Sequence, residues 1–243
     1  MTTQLLIYGR ATPVNKQKHK NWSVKTGADY RFTQQINSVP LTAVEFPSAA
    51  AEYSIVFAGS GDEVMPTAIL GLRDKENLYV QEGGVWDAKY IPAFVRRYPF
   101  VFSSDADGST FTLCIDEDFS GCNQTGRGEK LFDADEEMTQ YLKNVLNFSK
   151  EYQGQYKRSQ AFCTTLQKLN LLEPMKAQIT YKTGEKGNLG GFLVVSRTRL
   201  KALTDQQLLG LAKTDELELI YLHLQSLRNF SAMVDRVVIA KVH

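Results

Sequence analysis

The sequence predicts an α+β protein, with a mostly antiparallel sheet in its N-terminal part and helices plus one β-hairpin in its C-terminal part. Three observations carry this. Short apolar runs at Ser54–Ala58, Thr67–Leu72 and Leu78–Gln81 are separated by turn residues, as in an antiparallel meander. Met138, Tyr141, Leu142, Val145, Leu146 and Tyr152, continued by Phe162, Leu166 and Leu169, keep the three-four spacing of a long amphipathic helix. Ala177–Lys182 and Leu189–Ser196 flank a polar turn as a hairpin, and two helical runs close the chain.

Composition narrows the class. With 243 residues, 43% hydrophobic and 23% charged, the chain can bury a core without disulfides or metal staples. Lys and Arg number 28 against 27 acidic residues, so no global field favours nucleic acid or a membrane surface. Cys114, Cys122 and Cys163 form no CxxC and no zinc spacing, and no cofactor motif occurs; neither metal nor cofactor is expected. The start has no secretory pattern and no run approaches a membrane span, which points to a reduced, cytoplasmic setting. Four Asn-x-Ser/Thr sequons, at Asn21, Asn123, Asn147 and Asn229, then count as chance matches. Repeats and low-complexity segments are lacking. One domain over 1–243 is expected, any subdivision falling near 120–129; the oligomeric state is left open.

Taken in order, Gln4–Tyr8 and Trp22–Lys25 read as short strands. Pro40–Tyr53 reads as a turn and a short helix, capped by Ser48 with Pro47 at its entry. Paired glycines, Gly83–Gly84, let the chain reverse before Trp86. Tyr90–Arg97 makes two helical turns that Pro99 stops, with Arg96 and Arg97 at the end where cations suit the dipole. Phe100–Phe102 and Thr110–Ile115 pair around Ser103–Ser109; Asp105, Asp107 and Gly108 there lack the remaining ligands of a calcium loop. Ser120–Glu129 is a glycine-rich loop without the Gly-Lys-Ser/Thr ending of a phosphate loop. Asp133 with Glu136 is a capping-box candidate for the long helix, which Gly154 can kink or split. Its aromatic stripe, including Phe148 and Tyr156, reads as core rather than cofactor lining. Thr204 with Gln207 forms a second capping box, and a last helix runs from Asp215 to about Asp235 with His223 on the flank of its apolar face. Val237–His243 reads as a weak strand or ordered end.

The blocks Val39–Leu41, Glu45–Phe46, Tyr53, Ile55–Phe57, Ala68–Leu72 and Asn77–Val80 resemble the SapC family of bacterial proteins. So do Trp86, Tyr90–Ala93, Arg96–Phe100, Leu113–Asp116, Leu131–Asp133, Gly191–Phe192, Leu224 and Ser226–Leu227. The resemblance runs from about His19 to Asp235, and its most specific part is the block from Trp86 to Phe100; Tyr53–Ser54 stands where the family pattern has Tyr-Pro. The family takes its name from a surface-layer locus. Its members are commonly encoded near tryptophan-halogenase-like proteins, cupin-like proteins and TonB-dependent receptors, which implies an accessory role and brings no catalytic residues.

Three functional readings follow. A non-catalytic accessory protein would bind a protein or peptide partner through Trp86, Tyr90, Arg96 and Arg97, because Trp and Arg concentrate at interface hot spots. The bland counterpart buries Trp86 and pairs the arginines with acids such as Asp116. An enzyme acting on a peptide or metabolite would need His19, Glu45, Asp116 and the two arginines to meet in one cleft, with Arg97 gripping an anion and a carboxylate or His19 moving a proton. For His19 alone the bland reading is a surface histidine. A surface-layer component follows the family name but conflicts with the missing export signal.

Overall fold

The computed structural model describes residues 6–27, 29–104, 110–180, 184 and 186–239. Along the chain the strands are β1 (Ala11–Pro13), β2 (Ser23–Val24), β3 (Ser38–Pro40), β4 (Ser54–Ala58), β5 (Met65–Ile69) and β6 (Phe100–Ser104). They continue as β7 (Phe111–Asp116), β8 (Cys122–Asn123), β9 (Glu129–Lys130), β10 (Leu172–Thr180) and β11 (Lys186–Val195). The helices are α1 (Lys16–His19), α2 (Phe46–Ala49), α3 (Ala93–Arg96), α4 (Gln140–Lys168), α5 (Arg197–Lys201), α6 (Asp205–Lys213), α7 (Glu216–Ser226) and α8 (Asn229–Ile239). This is the α+β architecture that the sequence predicts.

Among the described residues three sheets form, all with antiparallel pairing: β10-β11-β4-β5-β3, β1-β7-β6 and β8-β2-β9. The first holds the main core. Every residue of β5 and all but the last of β4 are buried, and since successive side chains point to opposite faces, both faces of these strands are covered. A second apolar cluster, Val24, Phe100, Ile115, Leu131, Phe132 and Leu142, fills the space between the two smaller sheets and the start of α4. The long helix joins both clusters: Leu142 lies in the smaller one, and Tyr152, Phe162, Cys163 and Leu166 lie in the main one.

The main sheet has an irregular seam. β11 meets β4 at the pair Leu193↔Phe57, and the next pair would be Val195 with Ile55. Instead the ring of His223, from α7, stands between them. Val195 N–H donates to His223 Nε2 at 3.0 Å, so Nε2 is unprotonated, and Nδ1–H donates to Ile55 O at 2.9 Å. Three residues on, Ser226 Oγ accepts from Ile55 N–H at 3.0 Å, and Asn229 Nδ2 donates to Ala50 O at 2.9 Å and Tyr53 O at 2.8 Å. His223, Ser226 and Asn229 thus satisfy main-chain groups that the ladder leaves over. His223, which the sequence places on the flank of the apolar face in a helix-surface or partly buried structural role, is fully buried.

Several elements differ from the sequence reading. Leu6–Tyr8, the described part of the Gln4–Tyr8 segment, is not a strand, and the first strand among the described residues is β1. Thr42, not Ser48, begins the helical segment before β4: its side chain and N–H share Glu45 in a capping box that opens a 3-10 turn running into α2. Leu78–Gln81 is turn structure held by the single bridge Val80↔Trp86; the third strand of the meander is β3, on the outer edge of β5. The helix before Pro99 has one turn because Pro92 precedes it and disfavours helical angles at Ile91. Gly83 and Gly84 both take φ +83°, and a Cβ on Gly84 would fall 2.2 Å from Asp29 Oδ1, so the close approach here requires glycine.

The 120–129 segment is not an open loop. β8 and β9 flank β2 within it, and the Asn123 amide donates to Ser23 O, Gly121 O and Arg127 O. Asp133 closes a turn onto Asp135 and Glu137 N–H groups, Glu136 sits at φ +59°, and Thr139 caps α4 instead. Gly154 leaves α4 unbroken. The last helical run divides into α7 and α8, while the Thr204–Gln207 capping box forms as expected. The Asp105–Gly108 turn and residues 240–243 of the tail lie outside the described residues.

Burial, reinforced by the nearby charge of Arg197, lowers the pKa of His223 to about 4. Its folded value lies below its unfolded one, so the unfolded chain takes up the proton first as pH falls. This contribution to stability is complete above about pH 6.5 and declines toward pH 4, by roughly 3 kcal/mol in all. Urea unfolding between about pH 7 and pH 4.5 should show that decline, and His223→Gln should be less stable at neutral pH with a flatter dependence in the same window.

Candidate functional site

The stretch from Asn77 to Phe100 positions most of the candidate residues. Asn77 fixes its start: its amide donates to Thr33 O and its Oδ1 accepts from Tyr79 N–H. Trp86 is buried, its ring parallel to Tyr79 and edge-on to Tyr30, and its Nε1–H donates to Tyr53 Oη at 2.9 Å. Tyr53 in turn donates to Tyr90 O. Trp86 is therefore core, with only its margin reaching a surface cleft of about 540 Å³ lined by Glu52, Asp87, Lys89 and Arg236.

Arg97 is also buried. Its guanidinium lies over the rings of Phe94 (4.5 Å), Tyr152 (4.7 Å) and Tyr8 (5.6 Å) and hydrogen-bonds the Tyr8 hydroxyl. Burial pushes the Tyr8 hydroxyl up to about 12, and that hydroxyl donates to Phe100 O at 2.6 Å. Arg97 thus ties the N-terminal segment, α3 and α4 together through aromatic faces.

Glu45 and Asp116 are spent on main-chain N–H groups and side-chain hydroxyls. Glu45 Oε2 accepts from Thr42 N–H (2.7 Å) and Thr42 Oγ1 (2.8 Å), and Oε1 accepts from Ala93 N–H (2.7 Å) and Tyr90 Oη (2.8 Å). Asp116 Oδ2 accepts from Gly9 N–H (2.8 Å) and Tyr98 Oη (3.1 Å), and Oδ1 from Arg10 N–H (3.0 Å) and Asp118 N–H (3.2 Å). Each carboxylate carries four hydrogen bonds and pins a loop against a helix or strand.

His19 is fully buried, not a surface side chain. Its Nε2 faces Glu117 Oε1 at 3.1 Å, and a carboxylate acceptor requires that nitrogen to carry a proton. Nδ1 sits 3.0 Å from Asn15 N and 3.1 Å from Asn15 O, so both ring nitrogens are engaged. Lys18 hydrogen-bonds Glu117 and, with Thr12 and His19, holds its carboxyl down at about 2 despite burial. Local spacing does not place Glu117 against His19; the Asn15–His19 spacing of four is the available hint that this segment folds back on itself.

His19, Glu45, Asp116 and Arg97 are all buried, each among partners of its own. Neither the 540 Å³ cleft nor a second one of about 370 Å³, beside Asn37, Arg73, Asp74 and Gly187–Gly190, is lined by any of them. Among the described residues no group of three or more His, Cys, Asp or Glu is placed to hold a metal ion.

Of the candidate residues in the Asn77–Phe100 stretch, Arg96 is exposed and Tyr90 is half-buried beside it. Arg96 Nε donates to Ile91 O at 2.9 Å, and its guanidinium lies over Tyr90 (5.8 Å) and over Phe148 of α4 (5.3 Å). Tyr90 is itself anchored through its hydroxyl to Glu45. The result is an exposed arginine held in place by two half-buried aromatic rings. Phe148 belongs to the aromatic stripe that the sequence assigns to core; its position four residues before Tyr152 was the signal that it borders α3.

Fold and site together define a class, an α+β protein whose buried ionisable groups organise its backbone and whose arginine-aromatic surface faces outward. A family model described as SapC matches residues 14–233, and the chain belongs to the SapC family. Comparison with curated proteins and with solved structures gives no match.

Because Glu45 and Asp116 accept from donors only, an amide in their place turns an acceptor into a donor facing another donor. Glu45→Gln and Asp116→Asn should each lower stability by on the order of 2 kcal/mol, read as a shift in urea midpoint at pH 7.

Proposed function

We propose that this chain is a non-catalytic accessory protein that binds a protein or peptide partner, acting with a modification or a surface/uptake system. The observation that carries the reading is the Arg96 guanidinium, exposed but already clamped over Tyr90 and Phe148. An arginine held between aromatic rings loses little side-chain freedom on binding, and Arg and Tyr are enriched among interface hot spots. The saturation of His19, Glu45 and Asp116 supports the same reading, since a catalytic acid or base needs a lone pair or proton available to substrate. The enzyme alternative draws no specific support from the geometry of these groups.

We read the chain as one α+β domain, supported by β11 extending the N-terminal sheet and by α4 spanning both apolar clusters. A bacterial, cytoplasmic setting fits the three free cysteines, Cys114, Cys122 and Cys163. Among the described residues no helix is long and apolar enough to cross a membrane.

The test is affinity purification of the tagged protein from its native host, with mass spectrometry of what co-purifies. Arg96→Ala should keep the wild-type melting curve yet reduce recovery of the specific partner about tenfold. Equal recovery from the variant and the wild type would count against this surface. Trp86→Ala and Arg97→Ala are unsuitable for the purpose, because both side chains are core and their loss should destabilise by about 3 kcal/mol or more.

A further inference from the structure

The helix α4 carries a second surface, on the side turned away from both apolar clusters. Lys143, Asn147, Lys150, Gly154, Lys157 and Ala161 are all exposed and follow one another at alternating intervals of four and three. That is the spacing of the seam along which one helix packs on another. Lysines take every seventh position, about 10 Å apart along the axis, and residues no larger than asparagine take the positions between them. The helix as a whole carries five cations against the single Glu151, in a chain whose net charge is +1.

Two details mark this face as more than a solvated stripe. Glycine in a helix interior costs about 1 kcal/mol relative to alanine, and a Cβ at Gly154 would meet nothing within 4 Å, so the chain's own packing does not require glycine there. The face is also bordered by an aromatic: the Lys157 ammonium lies 5.6 Å from the Phe111 ring centroid, on the β6–β7 hairpin.

We propose that this stripe docks an acidic α-helix of a protein partner, with carboxylates seven residues apart opposite Lys143, Lys150 and Lys157 and its backbone crossing close over Gly154. Charge selects an acidic partner, and lysines repeating about 10 Å apart along one straight axis match carboxylates seven residues apart on a partner helix. A bilayer fits less well because the stripe has no large apolar side chain to insert. A duplex fits less well because the stripe's own cations are lysines, and only Arg158 beside it could grip a phosphate with two hydrogen bonds. This surface is independent of the Arg96 face.

The experiment titrates the full chain with a fluorescent synthetic helical peptide bearing glutamate at every seventh position, beside a shuffled peptide of the same composition. The ordered peptide should bind about tenfold more tightly than the shuffled one, and more weakly as salt rises. Lys150→Glu with Lys157→Glu should lose about tenfold, and a peptide with the two facing glutamates replaced by lysine should recover the loss. Gly154→Leu, checked as folded by circular dichroism, should also weaken binding, whereas Arg96→Ala should not. Equal binding of ordered and shuffled peptides would overturn the proposal. So would undiminished binding to Gly154→Leu, or tighter binding to a DNA duplex or to phosphatidylserine vesicles than to the ordered peptide. Loss of binding in Arg96→Ala would overturn the separation of the two surfaces.

Discussion

The ring of His223 completes a sheet whose strands stop pairing one step too soon. Val195 N–H and Ile55 O are buried polar groups at the point where β11 and β4 part, and each would cost about 1–3 kcal/mol if left unmet. A neutral imidazole has one donor and one acceptor on opposite sides of the ring, which is what this gap needs. Ser226 and Asn229 extend the same service to Ile55, Tyr53 and Ala50. The C-terminal helices are thereby joined to the central strands by hydrogen bonds as well as by the apolar contacts of Ile220 and Leu224. Replacing this histidine by an apolar residue of similar size would keep the volume and lose the seam.

The same principle governs the other buried ionisable groups. Glu45 fixes the approach of α3 to the segment before β4, Asp116 fixes the N-terminal segment on the second sheet, and His19 with Glu117 closes the turn between β1 and β2. Groups of these types suggest acid-base chemistry, yet each is occupied by main chain or by a neighbour. The exposed features that remain unspent are of another kind: an arginine held on aromatic rings, and a row of lysines on a long helix. These are the features on which the proposed recognition of another macromolecule rests.

Much of this was legible from residues. The three-four spacing from Tyr141 to Leu166 located α4 because a long helix repeats its signal many times, and the Thr204–Gln207 box is a local hydrogen-bond pattern. Strand β4 was readable because its apolar run ends at the turn residues Gly59–Ser60–Gly61. What escaped was nonlocal. Leu78–Gln81 has strand composition, but it is turn structure bridged only to Trp86, and β5 takes β3, not this segment, as its outer neighbour. Asp133 looks like a cap, but its carboxylate closes a turn first and leaves the helix to start at Thr139. The fates of His19, Glu45, Asp116 and His223 depended on partners up to 168 residues away, which spacing cannot reveal.

The claim that most of this rests on is that the buried ionisable groups serve the backbone, with His223 as the clearest case. Nitrogen-15 NMR of its ring through a pH titration addresses that claim directly, because the two nitrogens report protonation and tautomer separately. The account predicts a neutral ring with the proton on Nδ1, unchanged down to about pH 5. A His223 that titrates near its ordinary value of about 6.5, or that carries its proton on Nε2, would contradict it.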